Sequence, residues 1–261
     1  MSDAAAFDLA LLARVEEAGI NASAPREQRW IDGWLVRLSP GKAKRARCIL
    51  PVAPGRLGID DKLALCLPLF RAAGLRPYVR MTPFSEPAGL DDALAERGME
   101  SIDETRVMVL ARMGNDEDGR ERSEFRIEPA DPGSFADWIG QARGSSASER
   151  LAHAERIARP AVPHRAVFGR DAEGRIVAGG QVVVEGCVAG LYDVFTAEPA
   201  RGRGHGARIC RHLLALARRE GATTGYLQVD AANEVARRIY RRLGFADAYA
   251  YHYRTPPEHS A

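Results

Sequence analysis

One stretch constrains the fold more than any other: Arg201-Gly202-Arg203-Gly204-His205-Gly206, set between a β-rich run and an amphipathic one. Upstream, Val188 to Thr196 reads as a strand. Downstream, Ile209, Leu213, Leu216 and Ala217 follow the helical period while Arg208, Arg211, Arg218 and Arg219 fall largely elsewhere. This predicts a helix over about residues 205–220, with Gly221 as its C-cap. A helix that opens on a glycine turn presents free backbone N–H groups and the positive end of its dipole. Three glycines let a bulky anion approach the backbone, and Arg201 and Arg203 add forked cationic donors. The segment is therefore an anion site suited to phosphate or pyrophosphate.

Two common phosphate motifs do not match it. A P-loop needs G-x-x-x-x-G-K-[ST], and neither Lys nor Ser/Thr follows this loop. A dinucleotide fingerprint would put Ala207 or Cys210 where its third glycine belongs.

Around the loop the chain alternates strands and helices. Phe125 to Glu128, Arg165 to Gly169, Ile176 to Val184 and Gly225 to Val229 read as strands, and so does the aromatic alternation of Tyr249 to Tyr253. Ser134 to Ala142, Ser148 to Ile157 and Asn233 to Leu243 read as helices, the last closed by Gly244. The first half gives strands at Trp34 to Leu38, Arg47 to Val52, Pro77 to Met81 and Arg106 to Leu110. Its helices are Leu90 to Arg97 and Asp60 to Ala73, where Pro68 should kink the helix or shift its start. Arg26 to Trp34 reads as a helix-opening segment whose two Trp residues serve the core or line a cleft. The order strand, helix, strand, helix, Gly, strand thus occurs twice, aligned on Gly98 and Gly244, as an ancient duplication would leave it. The charged, glycine-containing run Arg112 to Glu124 marks the boundary between the halves.

Composition removes several function classes. The 37 basic and 35 acidic residues leave a net charge of +2, and the run Lys42 to Arg47 is short, so no nucleic-acid footprint is expected. Neither a basic signal-peptide start nor a membrane-length apolar run is present, and Cys48, Cys66, Cys187 and Cys210 form no C-x-x-C pair. A cytoplasmic protein with free thiols is expected. The six histidines show no metal-ligand spacing, so no metal is expected.

The loop and its flanks resemble the GNAT acetyltransferase superfamily. Arg201, Gly204 and Gly206 meet its R/Q-x-x-G-x-G/A pattern. Leu191 to Thr196 looks like its fourth strand, Tyr226 to Val229 like its fifth, and Asn233-x-x-Ala236-Arg237-x-x-Tyr240-x-x-x-Gly244-Phe245 like the helix and turn that close its cofactor site. The resemblance covers residues 124–254. It implies an α/β (α+β) fold of two GNAT-like mixed-sheet units in tandem: 1–115 a degenerate unit without a cofactor loop, and 124–261 the catalytic unit with strands 4 and 5 splayed. It implies acetyl-CoA as cosubstrate, its pantetheine arm along Val194, Phe195 and Thr196. The pyrophosphate would lie on the backbone of Arg201, Gly202, Arg203, Gly204, His205, Gly206 and Ala207. Asn233 would touch the arm, and Tyr240 would stand near the thioester sulfur.

The implied reaction is direct attack of a primary amine, from a small molecule or a peptide, on the thioester. Tyr240 is the expected general acid; the alternative use of its ring is packing beside Ile239 and Leu243. The expected base is Asp193, with Glu185, Asp230 or a water chain as alternatives; a carboxylate inside a strand needs a partner, and an Arg could serve it structurally. His205 is expected to hold its place by helix-start geometry. The other reading of the site is a non-catalytic acyl-CoA sensor, which would need the loop but not the acid. In the first half, Ala53-Pro54-Gly55-Arg56-Leu57-Gly58 departs from the loop pattern, Leu94 stands for Tyr240 and Pro87 for Asn233. That half should shape the acceptor pocket or a dimer contact, in a monomer or homodimer with no nucleic-acid or membrane partner.

Overall fold

The computed structural model describes residues 7–114, 125–158 and 161–257. In chain order the elements are α1 (Leu9–Ala22), β1 (Gln28–Ile31), β2 (Trp34–Arg37), β3 (Ile49–Pro51), α2 (Ile59–Ala72), β4 (Val79–Met81), α3 (Leu90–Glu96) and β5 (Glu100–Leu110). Then follow β6 (Arg126–Ala130), α4 (Pro132–Ala142), α5 (Ala147–Ala158), β7 (His164–Arg170), β8 (Ile176–Glu185) and β9 (Val188–Thr196). The chain closes with α6 (His205–Arg219), β10 (Thr224–Asp230), α7 (Glu234–Arg242) and β11 (Ala246–Thr255). It is a mixed α/β fold that divides into two compact units. One joins the described residues up to Ala22 with Val107–Ala248, and the other joins Ser23–Arg106 with the residues from Tyr249 on. Of the expected linker, residues 115–124 lie outside the described residues.

In the first unit the strands run β5-β10-β9-β8-β7-β6. β6 to β9 are antiparallel neighbours, and β9 and β10 are parallel. The arginine-rich helix α6 turns Ile209, Leu213 and Ala217, all fully buried, onto Val182, Leu191 and Leu227. Ile209 and Leu213 each contribute about 1.5–3 kcal/mol by that burial. Gly180 makes the close approach possible: a Cβ there would meet Ile209 Cγ2 at 2.9 Å and Leu213 Cδ1 at 3.0 Å. On a second cluster, Phe135 and Ile139 of α4 and Ile157 of α5 pack with Ala166 and Phe168 of β7. α1, which the sequence reading passed over, belongs to this unit through Val15, Ala18 and Ala22, and Arg14 and Asn21 bind Glu185 at 2.7 and 3.0 Å.

In the second unit β1 to β4 follow in order, with β3 and β4 parallel, and the end of β11 pairs antiparallel with β4 (Met81↔His252). Trp34, Val36, Ile49, Phe70, Val79, Leu90 and Leu94 form its core. The stretch Arg26 to Trp34, expected to open a helix, forms strand and turn instead. Asp32 and Gly33 take φ of +43° and +84° and turn β1 into β2 as a hairpin. An Asp-Gly pair prefers that turn, and two strands replace the helix. Trp34 goes to the core and Trp30 is exposed. α2 runs through Pro68.

The runs β3-α2-β4-α3-β5 and β9-α6-β10-α7-β11 repeat one order, each with a parallel strand pair. Gly98 and Gly244 take φ of +75° and +88° at the same step of each run, just after the second helix.

Candidate active site

The glycine loop is built as an open donor surface. Gly202 and Gly204 both sit at φ +79°, where a Cβ would strain the chain, and the space beside them is open. Gly204 is the N-cap of α6 and no side chain caps the helix, so its first-turn N–H groups have no intrahelical acceptor. Arg201, Gly202, Arg203 and Gly204 are exposed, while His205, Gly206 and Ala207 are half-buried. Arg201 Nε donates to the carbonyl of Thr196 at 3.3 Å, tying the loop to the end of β9. His205 stacks on Phe125 with centroids 4.2 Å apart, and burial together with Arg208 and Arg203 lowers its pKa. That packing is its role in the structure.

β9 and β10 part beside this loop. Their parallel ladder ends at Leu191↔Leu227, well before β9 ends at Thr196. On the other flank the register of β8 against β9 shifts between Gly179↔Phe195 and Gln181↔Tyr192. Asp193 lies in this bulge at φ +51°, a conformation a non-glycine residue adopts only when its surroundings hold it.

Those surroundings are specific. Arg143, the C-cap residue of α4, donates from Nη1 to Asp193 Oδ1 at 2.6 Å. Gln181, fully buried in β8, donates from Nε2 to Asp193 Oδ2 at 2.9 Å, and its Oε1 lies 3.0 Å from His164 Nδ1. An amide oxygen only accepts, so His164 carries its proton on Nδ1. Burial, aided by Arg156, lowers the His164 pKa to about 4, so the ring is neutral near pH 7. His153 of α5 places Nε2 3.2 Å from Asp193 Oδ2, off the line of a hydrogen bond.

Tyr240 packs at the edge of the main core, its ring edge-on to Phe245 at 6.2 Å. Burial raises its pKa and Arg143 opposes the rise, so the phenol lies within electrostatic reach of the guanidinium that holds Asp193. Cys210 acts on the same phenol, and burial pushes its own thiol up to about 12. Asn233 caps α7, its side chain accepting from the N–H of Ala236 at 3.0 Å. Of the other carboxylates considered as base, Glu185 is held by Arg14 and Asn21, and Asp230 accepts from the N–H of Ala232 at 2.8 Å.

The structure thus gathers Asp193, Val194, Phe195 and Thr196 on one strand end, the loop beside it, and Tyr240 electrostatically coupled to Arg143. Sequence reading missed Arg143, His153, His164 and Gln181. They come from α4, α5, β7 and β8, and no local spacing links them to Asp193.

A family model described as "Probable histone acetyltransferase Rv0428c C-terminal" matches residues 10–254. The uncharacterized N-acetyltransferase YobR of Bacillus subtilis (strain 168) is 31% identical over 230 residues, 87% of this chain and 91% of its own. The chain belongs to this family of GNAT N-acetyltransferases. Its fold is that of a GCN5-related N-acetyltransferase from Kribbella flavida, with a TM-score of 0.68 at 20% identity over 99% of this chain and 98% of the other. A tandem GNAT protein from the clavulanic acid biosynthesis pathway shares it with a TM-score of 0.58 at 11% identity over 76% and 70% of the two chains. The GNAT chain holds no cluster of three or more His, Cys, Asp or Glu residues placed to bind a metal among the described residues. No described helix is long and apolar enough to cross a membrane.

The second unit has a loop at the equivalent step, between β3 and α2, and it is occupied from within. Asp32 Oδ2 accepts from the N–H groups of Leu57 and Arg56 at 2.7 and 2.8 Å and lies 3.3 Å from Nζ of the buried Lys62. A carboxylate of the chain stands there where the glycine loop of the first unit presents open donors.

Proposed function

We propose that the chain transfers an acetyl group from acetyl-CoA directly to a primary amine of a small molecule or peptide, in one active site on the unit built around α6. The observation that carries this reading is the uncapped start of α6 beside the parted ends of β9 and β10. The first-turn N–H groups, with Arg201 and Arg203, suit a pyrophosphate, and the backbone of Val194 to Thr196, unpaired toward β10, suits a pantetheine arm. The Oδ1 of Asn233 is committed to its cap, so its amide NH2 is the part that would meet the arm.

Acetyl-CoA supplies the activated acyl group. Backbone N–H groups of the parted strand would take the charge that develops on the carbonyl oxygen. Tyr240 would protonate the departing sulfur: burial favours the neutral phenol, so the proton is present when the thiolate leaves. The Asp193 cluster would serve the amine side. Cys210 is the thiol near Tyr240, and burial keeps it protonated and poorly nucleophilic, which favours direct transfer over an acyl-cysteine intermediate. The same proposal makes the unit of Ser23–Arg106 and the residues from Tyr249 on the degenerate one, and the unit built around α6 the catalytic one.

Thermal melting tests the reading. Acetyl-CoA at about 100 times its Kd should stabilise the chain by about 2.7 kcal/mol, and ATP or NAD at equal concentration should not. An unchanged melting temperature at millimolar acetyl-CoA would sink it.

A further inference from the structure

We propose that His153 accepts the proton released by the attacking amine, with Asp193 as the residue that positions it; this rests on the acyl-transfer reading above. Asp193 is already committed as an acceptor on both oxygens. Oδ1 accepts from Arg143 at 2.6 Å and Oδ2 from Gln181 at 2.9 Å, and the side chain is only 11% exposed. Moving a proton onto that carboxylate would neutralise it beside a guanidinium and forfeit a charge-assisted pair. The bulge that holds Asp193 at positive φ and the buried amide of Gln181 fix the carboxylate in place, as an anchor requires.

His153 has what Asp193 lacks. Its Nε2 is buried and faces Oδ2 at 3.2 Å, which favours a proton on Nε2 and leaves the lone pair on Nδ1. The group in contact with the ring is Asp193 of β9, which is itself held by Arg143 from the end of α4 and by Gln181, the partner of His164. Asp137 of α4 is engaged by Arg150 of α5 at 2.8 Å, and Arg156 on the same helix acts on His164. Asp193 is the anion of this set that touches the imidazole, at 3.2 Å and off the line of a hydrogen bond, so an imidazolium formed there is compensated by charge at contact distance.

In the step, the amine lone pair forms a C–N bond to the thioester carbonyl carbon, the amine's N–H bond breaks with its electron pair left on nitrogen, and the proton becomes the Nδ1–H of His153. The C–S bond breaks with its pair on sulfur, which takes the proton of Tyr240. Solvent carries a proton from His153 back to Tyr240 between turnovers.

Two measurements test this. The first is the imidazole tautomer, read from 15N shifts of His153 in the wild-type chain. The Nε2–H form is expected, with D193N shifting the population toward Nδ1–H. A ring in the Nδ1–H form, or one indifferent to D193N, overturns the proposal without reference to turnover. The second uses spermidine, glucosamine and a lysine peptide as amine probes. With the probe that turns over fastest, H153A should lose about 10²–10⁴-fold in kcat and recover part of it with added imidazole, while acetyl-CoA still raises its melting temperature as in wild type. Undiminished kcat in H153A, alongside a large loss in D193N, would return the base to Asp193. A wild-type chain that fails to bind acetyl-CoA would instead defeat the parent reading.

Discussion

The hydroxyls of Tyr192 and Tyr226 lie 2.7 Å apart, both residues buried, at the place where β9 and β10 cease to pair. Their rings meet edge to face at 6.1 Å. Gly190 leaves the room for this: a Cβ there would stand 2.5 Å from Tyr226 Cζ and 2.6 Å from Tyr192 Cε2. The pair is a strut between two strands that part just beyond it, so it sets where the gap beside the glycine loop begins.

Breaking that strut should cost stability in two sizes. Tyr226→Phe removes one buried hydrogen bond and is expected to cost about 1 kcal/mol. Gly190→Ala forces both rings to move and is expected to cost about 1–3 kcal/mol. Urea denaturation followed by circular dichroism measures both, and a G190A midpoint equal to wild type would show that the rings yield freely.

Tyr240→Phe removes the phenolic hydroxyl, and with it the proton, and leaves the ring. The ring still packs on Phe245 and the core, so melting temperature and acetyl-CoA affinity should hold. kcat should fall by about 10²–10⁴-fold if the phenol is the acid. Because burial raises the Tyr240 pKa above its ordinary value, ionisation of this phenol should not produce a fall in rate below pH 9 in the wild type. Equal kcat in the variant would leave the ring a packing role alone.

The buried imidazole of His164 predicts a pH effect on stability. Its pKa falls from an ordinary 6.5 to about 4 on folding, chiefly through burial. Between those values the unfolded chain binds the proton and the folded chain does not. Stability is therefore full above pH 6.5 and falls as pH drops toward 4, by about 3 kcal/mol across the window. In H164N this slope of stability against pH should flatten. A slope unchanged by the substitution would mean that the ring charges inside the fold.

The parts of this molecule visible in the sequence are those that local rules govern. Ile209, Leu213 and Ala217 announce α6 by their period, and the structure ends that helix at Arg219. The strand expected at Val188 to Thr196 is β9 to the residue. α1 went unread although Leu11, Val15, Ala18 and Ala22 keep helical spacing, because the surrounding Ala and Leu residues blur its faces. The Asp32–Gly33 hairpin was hidden by the two Trp residues that flank it. The site divides in the same way. The loop and Tyr240 lie in one continuous motif, whereas Arg143 and Asp193 are joined by the packing of α4 against the sheet, and His153 reaches Asp193 from α5. Neither propensity nor spacing encodes that meeting.

The Asp32 carboxylate gives the second unit its own test. The N–H groups of Leu57 and Arg56 hold its pKa below the ordinary carboxylate value, with Lys62 adding to them. A depressed carboxylate stabilises the fold above its unfolded pKa, and that contribution is lost as pH falls through the lower folded value. Asp32→Ala should remove it at neutral pH, leaving two donors and a buried ammonium without their anion. The variant should therefore melt lower than wild type in sodium chloride and regain part of the difference in sodium acetate of equal ionic strength, since acetate can enter where the side chain was. Wild type should show no such preference, and should bind one acetyl-CoA per chain by calorimetry because the second loop is filled by its own residue. Two acetyl-CoA molecules per wild-type chain would show that Asp32 yields its place to a ligand.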